Sequence, residues 1–424
     1  MTQKTDKAAL SRRQILGGTA ATIGGMAVAP LAGATDPNPL NLPPNVPEWT
    51  PYLGVGVDAT PYGVPSEHES HVIRRNVEWL TASAESSVNF TPIQDLDGTI
   101  TPNGLCFERH HGGVPEVIPA DYRLMINGLV DRELIFTIDD LKRFPQVNRF
   151  HFLECAANGG MEWRGAQLNG CQYTFGMVHN VQYSGVLLSD ICREAGVKPS
   201  AKWVLAEGGD SAGMNRSVPI EKILDDCMIA YSMNGEALRP EQGYPARLVV
   251  PGWEGNMWIK WIRRLEFGDE PYMAREETSK YTDLMEDGKA RMFTWVMEAK
   301  SVVTSPSPEK HIMSKGQNLL KGLAWSGRGK IRRVDVSIDG GLNWQTAKIH
   351  GPILGKSLTR FTMPFKWNGE ELKVQSRAMD ETGYVQPTIE ALQKERGVKS
   401  IYHNNSIATW LVKSTGEVEN VRLG

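Results

Sequence analysis

Hydrophobic and polar positions divide this chain into two textures. Up to about residue 291, period-two alternation is mixed with helical spacing; from 292 onward only period-two patterns remain. In the first part, residues 122–128, 134–136, 147–153, 202–206, 228–232, 247–252 and 257–267 read as strands, rich in β-branched and aromatic side chains. The spacing predicts helices over 68–80, from a Thr137 cap through Phe144, over 186–195 with Ser184 as cap and Gly196 as stop, and over 219–226. Asn234-Gly235 predicts a tight turn. No βαβ regularity links these elements, so the expected class is α+β with a complex mixed sheet arrangement.

The second part holds strand patterns at 294–303, 319–326, 331–338, 346–349, 359–365, 371–379 and 408–412. Asp339-Gly340-Gly341 and Asn368-Gly369-Glu370 are hairpin-type connections between them. Short strands at this density predict an immunoglobulin-like β-sandwich over 292–424. Such sandwiches usually bind or assemble, so the chemistry is expected in residues 35–291.

Composition changes the picture little. A chain of 424 residues suits two domains, and a net charge of −3 gives no reason to expect nucleic acid as a partner. The first 34 residues matter more. Ser11-Arg12-Arg13 precedes a Gly/Ala-rich apolar run over 15–29, and Ala32-Gly33-Ala34 follows as a cleavage site. That is the twin-arginine export pattern, so residues 1–34 are expected to be a signal peptide. The expectation is a protein exported already folded to the periplasm, with no membrane anchor after cleavage. Residues 35–65, rich in proline, glycine and asparagine, are expected to wrap the surface as an irregular arm.

The five cysteines, at 106, 155, 171, 192 and 227, show neither C-x-x-C nor C-x-x-C-H spacing. The chain is therefore expected to attach no haem itself. No G-x-G-x-x-G opens a helix, which argues against a dinucleotide domain. After the strand over 147–153 the sequence falls to Cys155-Ala156-Ala157-Asn158-Gly159-Gly160, where nothing bulky crowds the sulfur. A thiolate there suits a redox metal, while the plainer alternative is a buried core cysteine. In Cys106-Phe107-Glu108-Arg109-His110-His111-Gly112-Gly113, an arginine and two histidines share a glycine-rich loop. Without a further ligand at zinc spacing, an anion site is the better reading.

These residues together resemble the sulfite oxidase family of molybdenum enzymes. The likeness rests on Phe107-x-Arg109-x-His111-x-x-Val114-Pro115, the Cys155 turn, Asp210, Arg247-x-Val249-Val250-Pro251-Gly252, Ile259-Lys260-Trp261, Tyr281 and the Val336–Trp344 pattern. It implies a molybdopterin-binding catalytic domain over 35–291, followed by a dimerisation domain of immunoglobulin type over 292–424. It also implies one molybdenum-molybdopterin cofactor per chain, with Cys155 as metal ligand. Phe107, Arg109, His111, Asp210, Arg247, Ile259 and Lys260 would grip the pterin, and Arg109 and Tyr281 would join Cys155 in catalysis.

Several family cations are replaced here. Gly159-Gly160 stand where an arginine is common, Gln242 where a histidine is, and Met257-Trp258 where an Arg-His pair is; a basic residue near Trp410 is missing. A free sulfite dianion would want those charges. Within the family the pattern is most similar to the sulfane dehydrogenase branch. That implies oxidation of the sulfane sulfur on a carrier-protein cysteine persulfide, with electrons passed to a c-type cytochrome subunit. It also implies a homodimer of this chain within a heterotetramer. The alternatives are a direct sulfite dehydrogenase and, from another class, a non-catalytic exported binding or assembly protein.

Overall fold

The computed structural model describes residues 65–76, 87–167, 170–397 and 400–423. The expected signal peptide and almost all of the proline-rich arm lie outside the described residues. The chain divides into two compact units between Ser66 and Glu67, and the second unit contains the sheets, the sandwich and the cleft.

Beside a three-stranded sheet over residues 75–110 and a two-stranded one over 283–291, two five-stranded sheets form the body of the first half among the described residues. In one, Gln146–Glu154 pairs along its whole length with Val178–Leu187, which pairs in turn with Met228–Met233. Arg247–Val249 closes on Met228–Met233 from the other side. In the other, Ile262–Gly268 lies parallel to Leu124–Gly128 and antiparallel to Trp203–Gly208. The helices Leu188–Ala195 and Ile220–Asp225 cover them, and their apolar faces join one continuous core. The mixed α+β expectation holds, and strands predominate.

Several local expectations are met for the reasons that predicted them. Thr137 caps Ile138–Leu141 through its hydroxyl, and Gly196 ends Leu188–Ala195 in the left-handed conformation. Asn234 and Gly235, at φ 50° and 84°, make the tight turn. Three expectations in this half need correction. Ser184 caps nothing: it stays in Val178–Leu187, where its hydroxyl donates to Asn148 at 2.6 Å. The apolar run around it is buried between two partner strands, and that burial outweighs its capping preference.

Of the helix expected over 68–80, the described part holds a short turn at Glu67–Glu69 and an extended Arg75–Asn76 paired with Ser87–Phe90. Finally, the strand expected over 257–267 begins only at Ile262. Gly255–Met257 is a single 3-10 turn, and Trp261 has φ 50°, so residues 258–261 form irregular backbone.

The second half is a sandwich. One sheet runs Lys300–Ser305, Gly316–Trp325, Thr359–Trp367, Lys348–His350, and the other is centred on Ile331–Ser337 and Leu372–Asp380. Trp325, Val334, Phe361, Val374 and Trp410 fill the space between them. The expectation of strands alone is corrected by the helix Ile389–Arg396, capped by Thr388. The sandwich core continues into the first half through Phe152, Phe175 and Val178. At that junction a fully buried carboxylate, Glu154, takes Lys300 Nζ at 3.0 Å, Trp325 Nε1 at 2.6 Å and Asn158 Nδ2 at 2.9 Å. One acidic side chain next to the candidate ligand cysteine thus ties the cysteine turn to the sandwich.

Candidate active site

The Cys155 turn is built at the end of the edge strand Gln146–Glu154. Cys155 N donates to Met177 O, Asn158 N to Cys155 O, and Asn158 Oδ1 accepts from Met177 N. Lys300 Nζ closes the turn on Asn158 O at 2.8 Å. Gly160 is there because a neighbour comes close: a Cβ on it would sit 2.2 Å from Ile401 O. The glycine pair lets residues 401–403 lie directly against the turn, where His403 N donates to Ala156 O at 2.7 Å.

Cys155 opens into a cleft with about 730 Å³ of atom-free space, the solvent at its mouth included. Phe107, Arg109, His111, Cys155, Asp210, Arg247, Ile259, Lys260 and Tyr281 all line it. The sequence pattern singles out all nine, and the fold brings them together from six separate stretches of chain. It does not single out His179, Met214 and Asn256, which also line the cleft. His179 sits inside a strand and carries no motif; nothing in the sequence marks it.

Lys260 reaches the cleft because residues 258–261 leave the sheet. Its ammonium donates to Arg109 O and Glu241 O, both at 3.0 Å, and lies 4.4 Å from the centre of the Trp261 ring. Arg247 is 2% exposed and gives its donors to Gln242 O and Trp258 O, both at 3.1 Å. No carboxylate is bonded to either cation among the described residues. Burial, with Arg247 second, pushes Lys260 down to about 7. Burial, then the Arg109 guanidinium, holds His111 down to about 4, so its imidazole is neutral at pH 7. Burial raises the Cys155 thiol to about 11 and the Tyr281 phenol well above its ordinary value. Asp210 turns its carboxylate back to Met214 N at 3.1 Å.

This arrangement fits a large anionic cofactor that brings its own metal. Two cations satisfied only by carbonyls, Arg247 buried and Lys260 half-buried, ask for an anion such as a pterin phosphate. His179 Nδ1 and Arg247 Nε are buried with no hydrogen-bond partner among the described residues. A thiol held near pKa 11 becomes a thiolate only beside a strong positive centre, which a bound metal provides. Among the described residues no three His, Cys, Asp or Glu side chains cluster to hold a bare ion. The metal would therefore arrive with ligands of its own, and Cys155 would add one.

Comparison with known proteins agrees. Residues 111–276 match the family model for the oxidoreductase molybdopterin binding domain, and residues 291–410 match that for the Mo-co oxidoreductase dimerisation domain. The chain belongs to the sulfite oxidase family of molybdenum enzymes, and its cofactor is molybdenum-bearing molybdopterin.

Among individual relatives, it is 60% identical to a chain of the sulfane dehydrogenase SoxCD from Paracoccus pantotrophus. That match has a TM-score of 0.85 and covers 92% of this chain and 100% of the other. It is also 30% identical to chicken sulfite oxidase, covering 76% of each chain. Against human mitochondrial sulfite oxidase the identity is 30%, over 76% of this chain but 64% of the human protein. The chain therefore spans less than two thirds of the human and mouse enzymes it matches.

Proposed function

We propose that this chain oxidises the sulfane sulfur of a carrier-protein cysteine persulfide in the periplasm and passes the electrons to a c-type cytochrome. The observation that carries the reading is the 60% identity to the sulfane dehydrogenase chain over that chain's full length. In this reading Cys155 ligates the metal, and one cofactor is held per chain. Phe107, His111, Asp210, Arg247, Ile259 and Lys260 hold the pterin and its phosphate. The bound molybdenum centre supplies the two-electron oxidation of sulfur.

Arg109 would neutralise the anionic sulfur group. Tyr281, whose buried phenol keeps its proton, would donate a hydrogen bond to an oxygen beside it. The cleft walls support a substrate of low charge. Trp258 and Gln242 line it at positions where the family resemblance implies basic residues, and Gly160 lets the backbone of Ile401 approach the cysteine turn. A sulfur presented on a protein arm needs fewer cations than free sulfite. Two electrons per turnover must leave singly, and the chain carries no C-x-x-C-H, so a partner haem is the natural acceptor. Residues 292–424 would pair two copies within a heterotetramer. The proline-rich arm would supply part of the cytochrome contact.

A second reading, direct oxidation of sulfite, is favoured by Arg109 and Lys260 in the cleft and by the 30% identity to sulfite oxidases. The two separate in one experiment. The chain is co-purified with a c-type cytochrome, and haem reduction is followed with a persulfidated carrier protein and with free sulfite. Fast reduction with the persulfide and little with sulfite is expected. Equal or faster reduction with sulfite moves the assignment to sulfite dehydrogenase.

A further inference from the structure

Behind the Tyr281 wall of the cleft lies a second set of buried charges that the cofactor grip does not use. Arg216 is 1% exposed and projects from the strand Asn215–Pro219. Its Nη1 lies 3.1 Å from Glu254 Oε1, and its Nε lies 3.5 Å from Glu277 Oε1. The same Nη1 donates to Asn256 Oδ1, and the guanidinium carbon sits 5.5 Å from the centre of the Tyr281 ring. Asn256 and Tyr281 both face the cleft.

The cluster is anchored on three sides. Glu277 Oε2 accepts from Ser217 Oγ at 3.0 Å and from Ala274 N at 3.1 Å. Glu254 Oε2 lies 2.8 Å from His403 Nε2, and His403 belongs to the residues packed on the cysteine turn. Tyr281 also packs against Tyr402, with ring centres 4.9 Å apart and planes tilted by 38°. Tyr281 and His403 both hold left-handed backbone, at φ 52° and 54°, a conformation that non-glycine residues keep only where their surroundings impose it.

We propose that Arg216 is a positioning residue for the reaction. Held by Glu254 and Glu277, it fixes Asn256 and Tyr281 at the cleft wall, and His403 locks Glu254 to the cysteine turn. Arg216 is itself buried away from the cleft and touches neither cofactor nor substrate. It acts through the Tyr281 hydroxyl and the Asn256 amide, so the oxygen-facing donors and the thiolate ligand share one rigid support. A planar guanidinium suits this role because it can pair with two carboxylates and still lie over an aromatic face. The proposal rests on Tyr281 acting in turnover, as in the function proposed above.

The test is a double-mutant cycle on the molybdenum-loaded full chain, using Arg216→Met, Tyr281→Phe and the pair. Ferricyanide is the acceptor, and a persulfidated carrier protein and free sulfite are both supplied as probes. Arg216→Met is expected to lower kcat about 10- to 100-fold, with KM changed far less and molybdenum content kept. In the Tyr281→Phe background the same substitution should change kcat less than about twofold, because the group it positions is gone. A crystal structure of the variant should show the Tyr281 ring moved off Tyr402.

If Arg216→Met does not accumulate as folded protein, Arg216→Lys carries the same cycle, since it keeps the charge and loses the planar fork. Losses that multiply in full in the double variant, or an unmoved Tyr281 ring, overturn the proposal. A wild type that oxidises neither probe would instead count against the proposed function, and the ring position in the variant would still decide the role of Arg216.

Discussion

Two groups of buried cations flank the cysteine turn, and they differ in what neutralises them. Arg216 and Lys300 are paired with carboxylates, Glu254 with Glu277 and Glu154 respectively. Arg247, equally buried, and the half-buried Lys260 are bonded to carbonyl oxygens instead. The first group is neutralised within the protein and fixes its architecture. The second keeps an unspent positive charge, which the depressed lysine registers, and that is the mark of a binding site for an anion. The contrast gives a rule for this molecule: a buried cation with a carboxylate holds the fold, and one with carbonyls awaits a ligand.

The largest expected effect lies between the two groups. Cys155→Ser should reduce turnover to background while thermal unfolding and pterin content stay near wild type, because an oxygen ligand donates less charge to a soft metal than thiolate does. Near-normal turnover in this variant would show that Cys155 is no ligand. Next comes the architectural group. Lys300→Met leaves Glu154 buried and unpaired, which is expected to cost about 3–5 kcal/mol in denaturant unfolding. A loss within experimental error would mean that the Glu154 contacts to Trp325 and Asn158 suffice without the ion pair.

How much of this was legible in the sequence depends on the kind of signal. Strand patterns, the Thr137 cap and the Asn234-Gly235 turn read correctly because local chemistry and tertiary packing agree there. Ser184 misled because a cap residue was buried in a central strand, and residues 258–261 misled because alternation continues through backbone that has left the sheet. The motif residues of the cleft were legible through their likeness to a family. Arg216, Glu254 and His403 were not. They come from three distant stretches, carry no spacing pattern, and acquire meaning only when the sandwich half is laid on the cysteine turn.

A smaller effect is expected at Arg109, whose role is toward substrate. Arg109→Met should raise KM or lower kcat/KM by about 10- to 100-fold with molybdenum content unchanged. If metal content falls in proportion to activity, Arg109 belongs with Arg247 and Lys260 instead. The smallest effect is a pH dependence in the cofactor-free chain. The folded Lys260 titrates near 7 and the unfolded one near 10.5, so between those values the unfolded chain binds more protons. Stability should therefore rise across that window in the wild type relative to Lys260→Met, as read by denaturant midpoints at pH 7 and pH 10. Parallel profiles would show that Lys260 is not depressed.

The most direct test of the contrast is molybdenum content, measured by elemental analysis on wild type, Arg247→Met and Arg216→Lys expressed side by side in a molybdenum-competent host. About one molybdenum per chain is expected in wild type and Arg216→Lys, and almost none in Arg247→Met, whose buried anion grip is gone. Full metal content in Arg247→Met, or a loss confined to Arg216→Lys, would contradict the division of the buried cations into those that bind and those that build.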